Sequence, residues 1–105
     1  MKKYAWTWTI KPEFVEEYVS MHKNPWPEIM EAHRKAGFKN YSIFRNGNQF
    51  FYVFESDDVD AARAYAAADE ACQKWNDICM KMIDADFADN VETGIDYMEE
   101  VFYLA

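Results

Sequence analysis

Residues 38–56, FKNYSIFRNGNQFFYVFES, contain the strongest turn signal in the chain, the Asn-Gly pair at Asn46 and Gly47. An Asn-Gly pair between two apolar runs is typical of a tight β-hairpin. Residues 38–44 and 49–56 are therefore predicted to form two antiparallel strands joined by RNGN. The second strand is apolar on both alternations, which predicts that both faces of the sheet are covered.

The chain on either side of this hairpin predicts helices and two more strands. Aromatic and polar residues alternate over residues 2–10, KKYAWTWTI, as in a half-buried strand. Pro12 and Pro27 suit the first turns of two helices, and Gly37 suits the end of the second one. After the hairpin we predict, in chain order, helices at 57–69 and 70–83, a polar connector at 84–94 and a last strand at 97–104.

The predicted order is β-α(α)-β-β-α(α)-β, the ferredoxin-like or split βαβ arrangement. We therefore expect one α+β domain over residues 1–105, with an antiparallel sheet and helices on one of its faces. The doubly apolar strand then requires a second layer on the opposite face. A chain of 105 residues has no elements left to supply that layer. A second copy would supply it, so the sequence predicts a homodimer.

The composition excludes several classes of partner. The formal net charge is -8, with no basic cluster, so we expect no binding to nucleic acid or to an anionic membrane surface. No apolar run approaches the length of a membrane span.

Cys72 and Cys79 are seven residues apart in a predicted helix, too far for a mutual disulfide, which favours reduced thiols and a cytoplasmic location.

Three ring-bearing side chains recur at four-residue intervals from the first predicted helix into the turn that follows it: Tyr18, His22 and Trp26. The simplest interpretation is a core stripe in which the histidine has one satisfied hydrogen bond. A pocket is the alternative, because Tyr18 and His22 carry polar groups that need partners. Tyr41 on a hairpin strand and Trp75 on the last helix would complete it. Phenols, an imidazole and an indole suit a sugar, whose C–H faces stack on rings and whose oxygens take hydrogen bonds.

Five segments of the chain together indicate a family: KPEFVEEYVSMH (11–22), WPE (26–28), NYSIF (40–44), CQKW (72–75) and EVFYL (100–104). Through these segments, in this order, the chain resembles the L-rhamnose mutarotases along nearly its full length. The resemblance implies a dimeric α+β barrel that interconverts the α and β anomers of L-rhamnose or a related 6-deoxyhexose.

Carried over position by position, the resemblance implies that His22 is the catalytic proton donor. Tyr18, Tyr41 and Trp75 match substrate-binding positions, and we expect Trp26 to close the pocket between its two prolines. Members of the family often have Trp-Trp where this chain has Trp75 followed by Asn76. Asn76 is therefore expected to contact the sugar and to change which sugar is preferred.

The expected reaction requires neither a metal nor a cofactor. Mutarotation protonates the ring oxygen and removes the proton of the anomeric hydroxyl, and one group with a pKa near neutrality, such as histidine, can do both. Two other functions remain open on the sequence. One is a module that binds a sugar without turnover, and the other is a monooxygenase, since dimeric α+β barrels also include monooxygenases.

Overall fold

The computed structural model describes residues 1–85 and 95–105, where an antiparallel sheet packs against helices. In chain order the described elements are β1 (Lys2–Thr9), a 3₁₀ turn (Pro12–Phe14), α1 (Val15–Lys23), α2 (Pro27–Ala36), β2 (Lys39–Asn46), β3 (Gln49–Ser56), α3 (Val59–Ala68) and α4 (Glu70–Met80). This arrangement confirms the predicted α+β class and its antiparallel sheet. None of the described helices is long and apolar enough to cross a membrane.

The predicted hairpin forms the centre of the fold. The sheet order is β1-β3-β2, with β3 antiparallel to both neighbours. Pairing continues to Asn46 and Gln49, so the loop is only Gly47 and Asn48, shorter than the predicted RNGN turn. Gly47 has φ +64°, a value that the primed hairpin turns require and that glycine adopts without steric cost.

Strand β3 presents alternate residues to the two sides of the sheet. Phe50, Tyr52 and Phe54 are buried and share one core with residues of α1, α2 and α4. Phe51 and Val53 point to the opposite face and are only half-buried. The helices therefore cover one face, and the apolar side chains of the other face keep part of their surface exposed.

A β-bulge near the start of β2 sets the direction of the side chains that precede it. Lys39 pairs with Glu55 and Ser42 pairs with Val53, so Asn40 and Tyr41 together lie opposite one residue, Phe54. Asn40 has φ +50°, the left-handed conformation found at the first position of such bulges. The bulge is the reason that Tyr41 stacks on Phe54, with ring centroids 5.5 Å apart.

Both ends of α2 follow the predicted signals, whereas Pro12 begins a 3₁₀ turn that leads into α1. Trp26 precedes Pro27, and Gly37 ends α2 at φ +95°. The carboxylates of Asp58 and Asp69 accept backbone N–H groups from Ala61 and Cys72 and so cap α3 and α4. Gly37 thus ends α2, and aspartate caps begin α3 and α4.

The predicted last strand is wrong. The described residues 95–105 form no strand and make one backbone hydrogen bond to the sheet, from the N–H of Met98 to the carbonyl of Ala5 at 2.7 Å. The side chains of Val101, Phe102 and Leu104 are 79–85% exposed. Within one chain they have no surface on which to pack, and a strand without packing is only marginally stable. Residues 86–94 of the predicted connector lie outside the described residues.

Candidate functional site

A buried pair of phenols joins helix α1 to the central strand. The hydroxyls of Tyr18 and Tyr52 are hydrogen-bonded at 2.7 Å, and each residue is only 2% exposed. Burial raises the pKa of both side chains, and for Tyr18 the neighbouring Tyr52 raises it further. Both groups are therefore protonated at physiological pH, so they can donate or accept hydrogen bonds but cannot act as bases.

His22 is held one helical turn from Tyr18. Its Nδ1 lies 2.7 Å from the backbone carbonyl oxygen of Tyr18. A carbonyl can only accept, so Nδ1 carries the hydrogen and the lone pair of the neutral ring is on Nε2. Burial lowers the pKa of His22, the bond to the carbonyl opposes this shift, and the nearby His33 adds to it. The neutral ring, with Nε2 ready to take a proton, is thus the favoured state.

Tyr41 lies on strand β2, near the phenol pair of Tyr18 and Tyr52. The residue as a whole is 37% exposed, whereas its hydroxyl end is surrounded by protein, and this burial raises the pKa of Tyr41. Its ring meets Trp6 edge-on, with centroids 6.2 Å apart. The bulge in β2 therefore brings a third protonated phenol to the site predicted from the sequence.

Helix α4 supplies an aromatic wall beside His22. Trp75 is 7% exposed and meets the imidazole of His22 edge-on, with centroids 5.3 Å apart. Trp26 packs edge-on against Trp75 at 5.0 Å, so its ring supports the wall and is not among the residues that line the two cavities described next. Asn76 lies beside Trp75 and lines the inner of these cavities.

Two cavities meet at His22. The outer cavity, of about 900 Å³, lies between α1, α2 and strand β2. The inner cavity, of about 110 Å³, lies on the helix-covered face of the sheet. Five residues line both cavities: His22, Phe38, Tyr41, Ile43 and Trp75. The histidine thus stands where an open cavity narrows into a small aromatic one, a shape that suits a ring-shaped ligand.

The outer cavity is basic although the protein is acidic. Its described lining includes Lys23, Arg34, Lys39 and Arg45 and contains no carboxylate. His33 lies on the same wall, where its Nδ1 donates to the carbonyl of Ile29 at 2.8 Å. His33 was not among the residues predicted for the site.

Several residues that line the inner cavity were not predicted as site residues from the sequence, and Tyr52 and Trp6 are two of them. Both lie on the helix-covered side of adjacent strands and are paired across the sheet. Their rings are stacked with centroids 4.7 Å apart and planes at 8°. Strand alternation places both residues on the helix-covered face of the sheet, the face that Tyr18 packs against. That alternation is the sequence signal that could have marked them as members of the site.

The chain matches the family model described as L-rhamnose mutarotase over residues 3–104. The chain belongs to this family. Its relatives include the L-rhamnose mutarotases of Tolumonas auensis, 34% identical over 107 residues and all of both chains, and of Bacillus subtilis, 34% identical over 107 residues and 99% of both chains.

Solved structures show the same fold. A crystal structure of the family member from Formosa agariphila, an L-rhamnose mutarotase, superimposes with a TM-score of 0.76 at 22% identity over the whole of both chains. An antibiotic biosynthesis monooxygenase superimposes with a TM-score of 0.65 at 19% identity over 96% of this chain and 99% of its own. At these identities the likeness concerns the fold alone.

The phenol pair generates a test of stability. We expect Tyr18→Phe and Tyr52→Phe each to lower the free energy of unfolding by about 1–3 kcal/mol, because each leaves one buried hydroxyl without its partner. The double variant removes both hydroxyls and should cost less than the sum of the single changes. Urea unfolding measures all three. Tyr65→Phe, at a 41% exposed residue, is the matched control and should change little. Strictly additive losses would show that the two hydroxyls do not depend on each other.

Proposed function

We propose that this protein is a sugar mutarotase that interconverts the α and β anomers of L-rhamnose or a related 6-deoxyhexose. The observation that carries the proposal is the state of His22. Its Nδ1 is occupied by the Tyr18 carbonyl, and its ring stands at the junction of the two cavities. Membership of the L-rhamnose mutarotase family supports the choice of reaction and of sugar.

The proton balance of the reaction fits one histidine of this kind. In ring opening, the anomeric O1–H loses its proton, the C1=O1 double bond forms, the C1–O5 bond breaks, and O5 gains a proton. Rotation about C1–C2 and closure on the other face of the aldehyde reverse these changes. No proton is gained or lost overall, so Nε2 of His22 can take the proton from one oxygen and return it to the other.

The neighbouring groups support binding in this scheme. The phenols of Tyr18 and Tyr41 are neutral, since burial raises the pKa of both, and neutral hydroxyls can bond to sugar oxygens. Trp75 offers an indole beside the imidazole for stacking against the C–H face of a pyranose. Trp26, which packs behind Trp75, would then act by holding that indole in place.

The sugar preference is proposed to depend on Asn76. An indole at this position would offer an apolar surface to the C6 methyl group of a 6-deoxyhexose, whereas an amide offers donors and an acceptor. Asn76 lines the inner cavity together with Tyr18 and His22. This chain should therefore tolerate a hydroxyl at that point of the sugar better than a relative with a second tryptophan.

We also propose that the protein is a cytoplasmic homodimer whose subunits cover the open face of the sheet. Phe44 lies opposite Phe51 on that face and is 63% exposed. The apolar side chains of residues 101–104 are exposed as well, and Tyr103 contacts Lys3, which is on the same face of β1. Exposed apolar side chains on an uncovered sheet face are typical of an interface. The two buried free cysteines are consistent with a reducing compartment.

Replacement of His22 tests the reaction. We expect His22→Ala to lower the rate of anomer exchange by roughly 10²-fold or more, the usual contribution of a general acid–base group. Saturation-transfer NMR on L-rhamnose measures the exchange, and circular dichroism checks the fold. Glu17→Ala, an exposed change on the same helix, is the control. Near-normal exchange in folded His22→Ala protein would contradict the assignment of His22 as the acid–base group.

The pH dependence of the wild type gives a second test. Exchange should persist as the pH falls through 6.5 and decline only below it, because burial lowers the pKa of His22.

The assembly is tested by mass. Sedimentation equilibrium at micromolar concentration should give twice the chain mass of 12.4 kDa. Phe44→Lys places a charge in the proposed interface and should shift the protein towards monomer, since an unpaired buried charge opposes association. Tyr65→Lys changes an exposed aromatic residue on the helical side and should leave the mass unchanged. A wild type that stays monomeric would rule out the dimer.

Substitution of Asn76 tests the sugar preference. We expect Asn76→Trp to shift selectivity towards L-rhamnose over its 6-hydroxy counterpart, L-mannose, by roughly 1–3 kcal/mol, the usual value of one buried polar or apolar contact. The ratio of exchange rates on the two sugars is the measurement. Gln73→Trp, at an exposed residue of the same helix, controls for a new surface indole. Identical ranking by both proteins would place Asn76 outside the binding surface.

A further inference from the structure

The indole N–H of Trp6 is a buried donor without an acceptor. Trp6 is 5% exposed, and its Nε1 has no hydrogen-bond partner among the described residues. Buried polar groups in folded proteins are bonded in the great majority of cases, because an unmet donor keeps the cost of its desolvation. A phenylalanine at this position would also stack on Tyr52, without that cost. The indole nitrogen therefore requires an explanation beyond packing.

The ring that carries this donor is fixed by its neighbours. It is stacked on Tyr52 with centroids 4.7 Å apart, and it meets Trp8 edge-on at 5.6 Å and Phe54 edge-on at 5.9 Å. A ring packed on three sides cannot rotate its N–H to a new acceptor without displacing the core. The donor is thus held in one direction, and its partner must come to it.

Trp6 lines the inner cavity, which also contains Tyr18 and His22. A cavity of about 110 Å³ has room for an oxygen atom that enters with a ligand. We propose that the indole N–H of Trp6 donates a hydrogen bond to one hydroxyl oxygen of the bound sugar and so helps to select it. This inference rests on the proposed function, since it takes a pyranose as the ligand.

The chemistry favours an oxygen of the sugar over an apolar part of it. An indole N–H only donates, so its partner must be an acceptor. The hydroxyls of Tyr18 and Tyr52 bond to each other, and neither is a hydrogen-bond partner of this nitrogen. A sugar that enters past His22 brings several hydroxyl oxygens, each with free lone pairs. The bond forms only in the complex, so the donor left unmet in the free protein contributes to sugar affinity.

The wild-type protein allows a direct test that needs no variant to stay active. The chain has four tryptophans and therefore four indole N–H signals in a ¹H–¹⁵N correlation spectrum. Trp6→Phe identifies the Trp6 signal by its loss. Titration with L-rhamnose should move that signal downfield, as a new hydrogen bond does. A Trp6 signal that stays in place at saturating sugar would overturn the proposal.

A thermodynamic cycle separates the hydrogen bond from packing. The dissociation constants of wild type and Trp6→Phe are measured for L-rhamnose and for its analogues deoxygenated at C2, C3 or C4. For one analogue we expect wild type to bind roughly fivefold more weakly than it binds L-rhamnose, the value of a hydrogen bond of about 1 kcal/mol, and Trp6→Phe to show no such loss. Packing changes affect all four sugars alike and cancel in the comparison.

The outcomes distinguish this inference from the function on which it rests. Coupling at one hydroxyl supports the Trp6 bond, and equal losses in both proteins for every analogue overturn it, as they would if a water molecule satisfied the N–H. Binding with coupling but without anomer exchange keeps the Trp6 bond and rejects the mutarotase. Absence of any sugar binding by wild type rejects both.

Discussion

Tyr18 makes two hydrogen bonds in different directions, and the geometry of the site depends on both. Its hydroxyl bonds to Tyr52 and ties helix α1 to the central strand, while its backbone carbonyl accepts Nδ1–H of His22. The first bond fixes the height of the helix over the sheet. The second fixes the tautomer and the plane of the imidazole one turn later. A shift of α1 along its axis would disturb both together, so the phenol pair and the histidine behave as one unit.

Burial gives this unit its chemical character. It raises the pKa of the phenols and lowers that of His22, so every one of these groups is held in its neutral form. The unit of Tyr18, Tyr52 and His22 therefore contains donors, acceptors and one basic nitrogen but no fixed charge of its own. Such a site suits a neutral substrate whose protons only change places. The cations of the two cavities lie outside this unit: Arg63 lines the inner cavity, and the others lie on the wall of the outer cavity.

Local signals in the sequence predicted most of the fold. The Asn-Gly turn, the prolines at helix starts and Gly37 each act within a few residues, so their effects could be inferred from sequence alone. The last strand could not be predicted correctly, because its formation depends on a surface that residues 101–104 do not find within one chain. The apolar residues of 97–104 predict a strand, whereas the described residues 95–105 make a single backbone hydrogen bond to β1.

The site was predicted in part for similar reasons. Tyr18 and His22 share a helical face, and the family resemblance added Tyr41 and Trp75, all of which the fold brings around the two cavities. The sequence predicts Tyr52 and Trp6 only as members of strands, although strand alternation places both on the helix-covered side. The distinct positions of Trp26 and His33 depend on how α1, α2 and α4 cross, which spacing along the chain does not define.

The bulge at Asn40 has a consequence for how this site can change in evolution. In a regular strand, residues three apart face opposite sides, yet Phe38 and Tyr41 both line the two cavities because one extra residue separates them. The phenol thus reaches the histidine through the length of the segment as well as through its own identity. Substitutions here alter the wall by degrees. Loss or gain of a single residue instead reverses which side chains face inward. A lineage that keeps this part of the wall must therefore keep the number of residues in the segment.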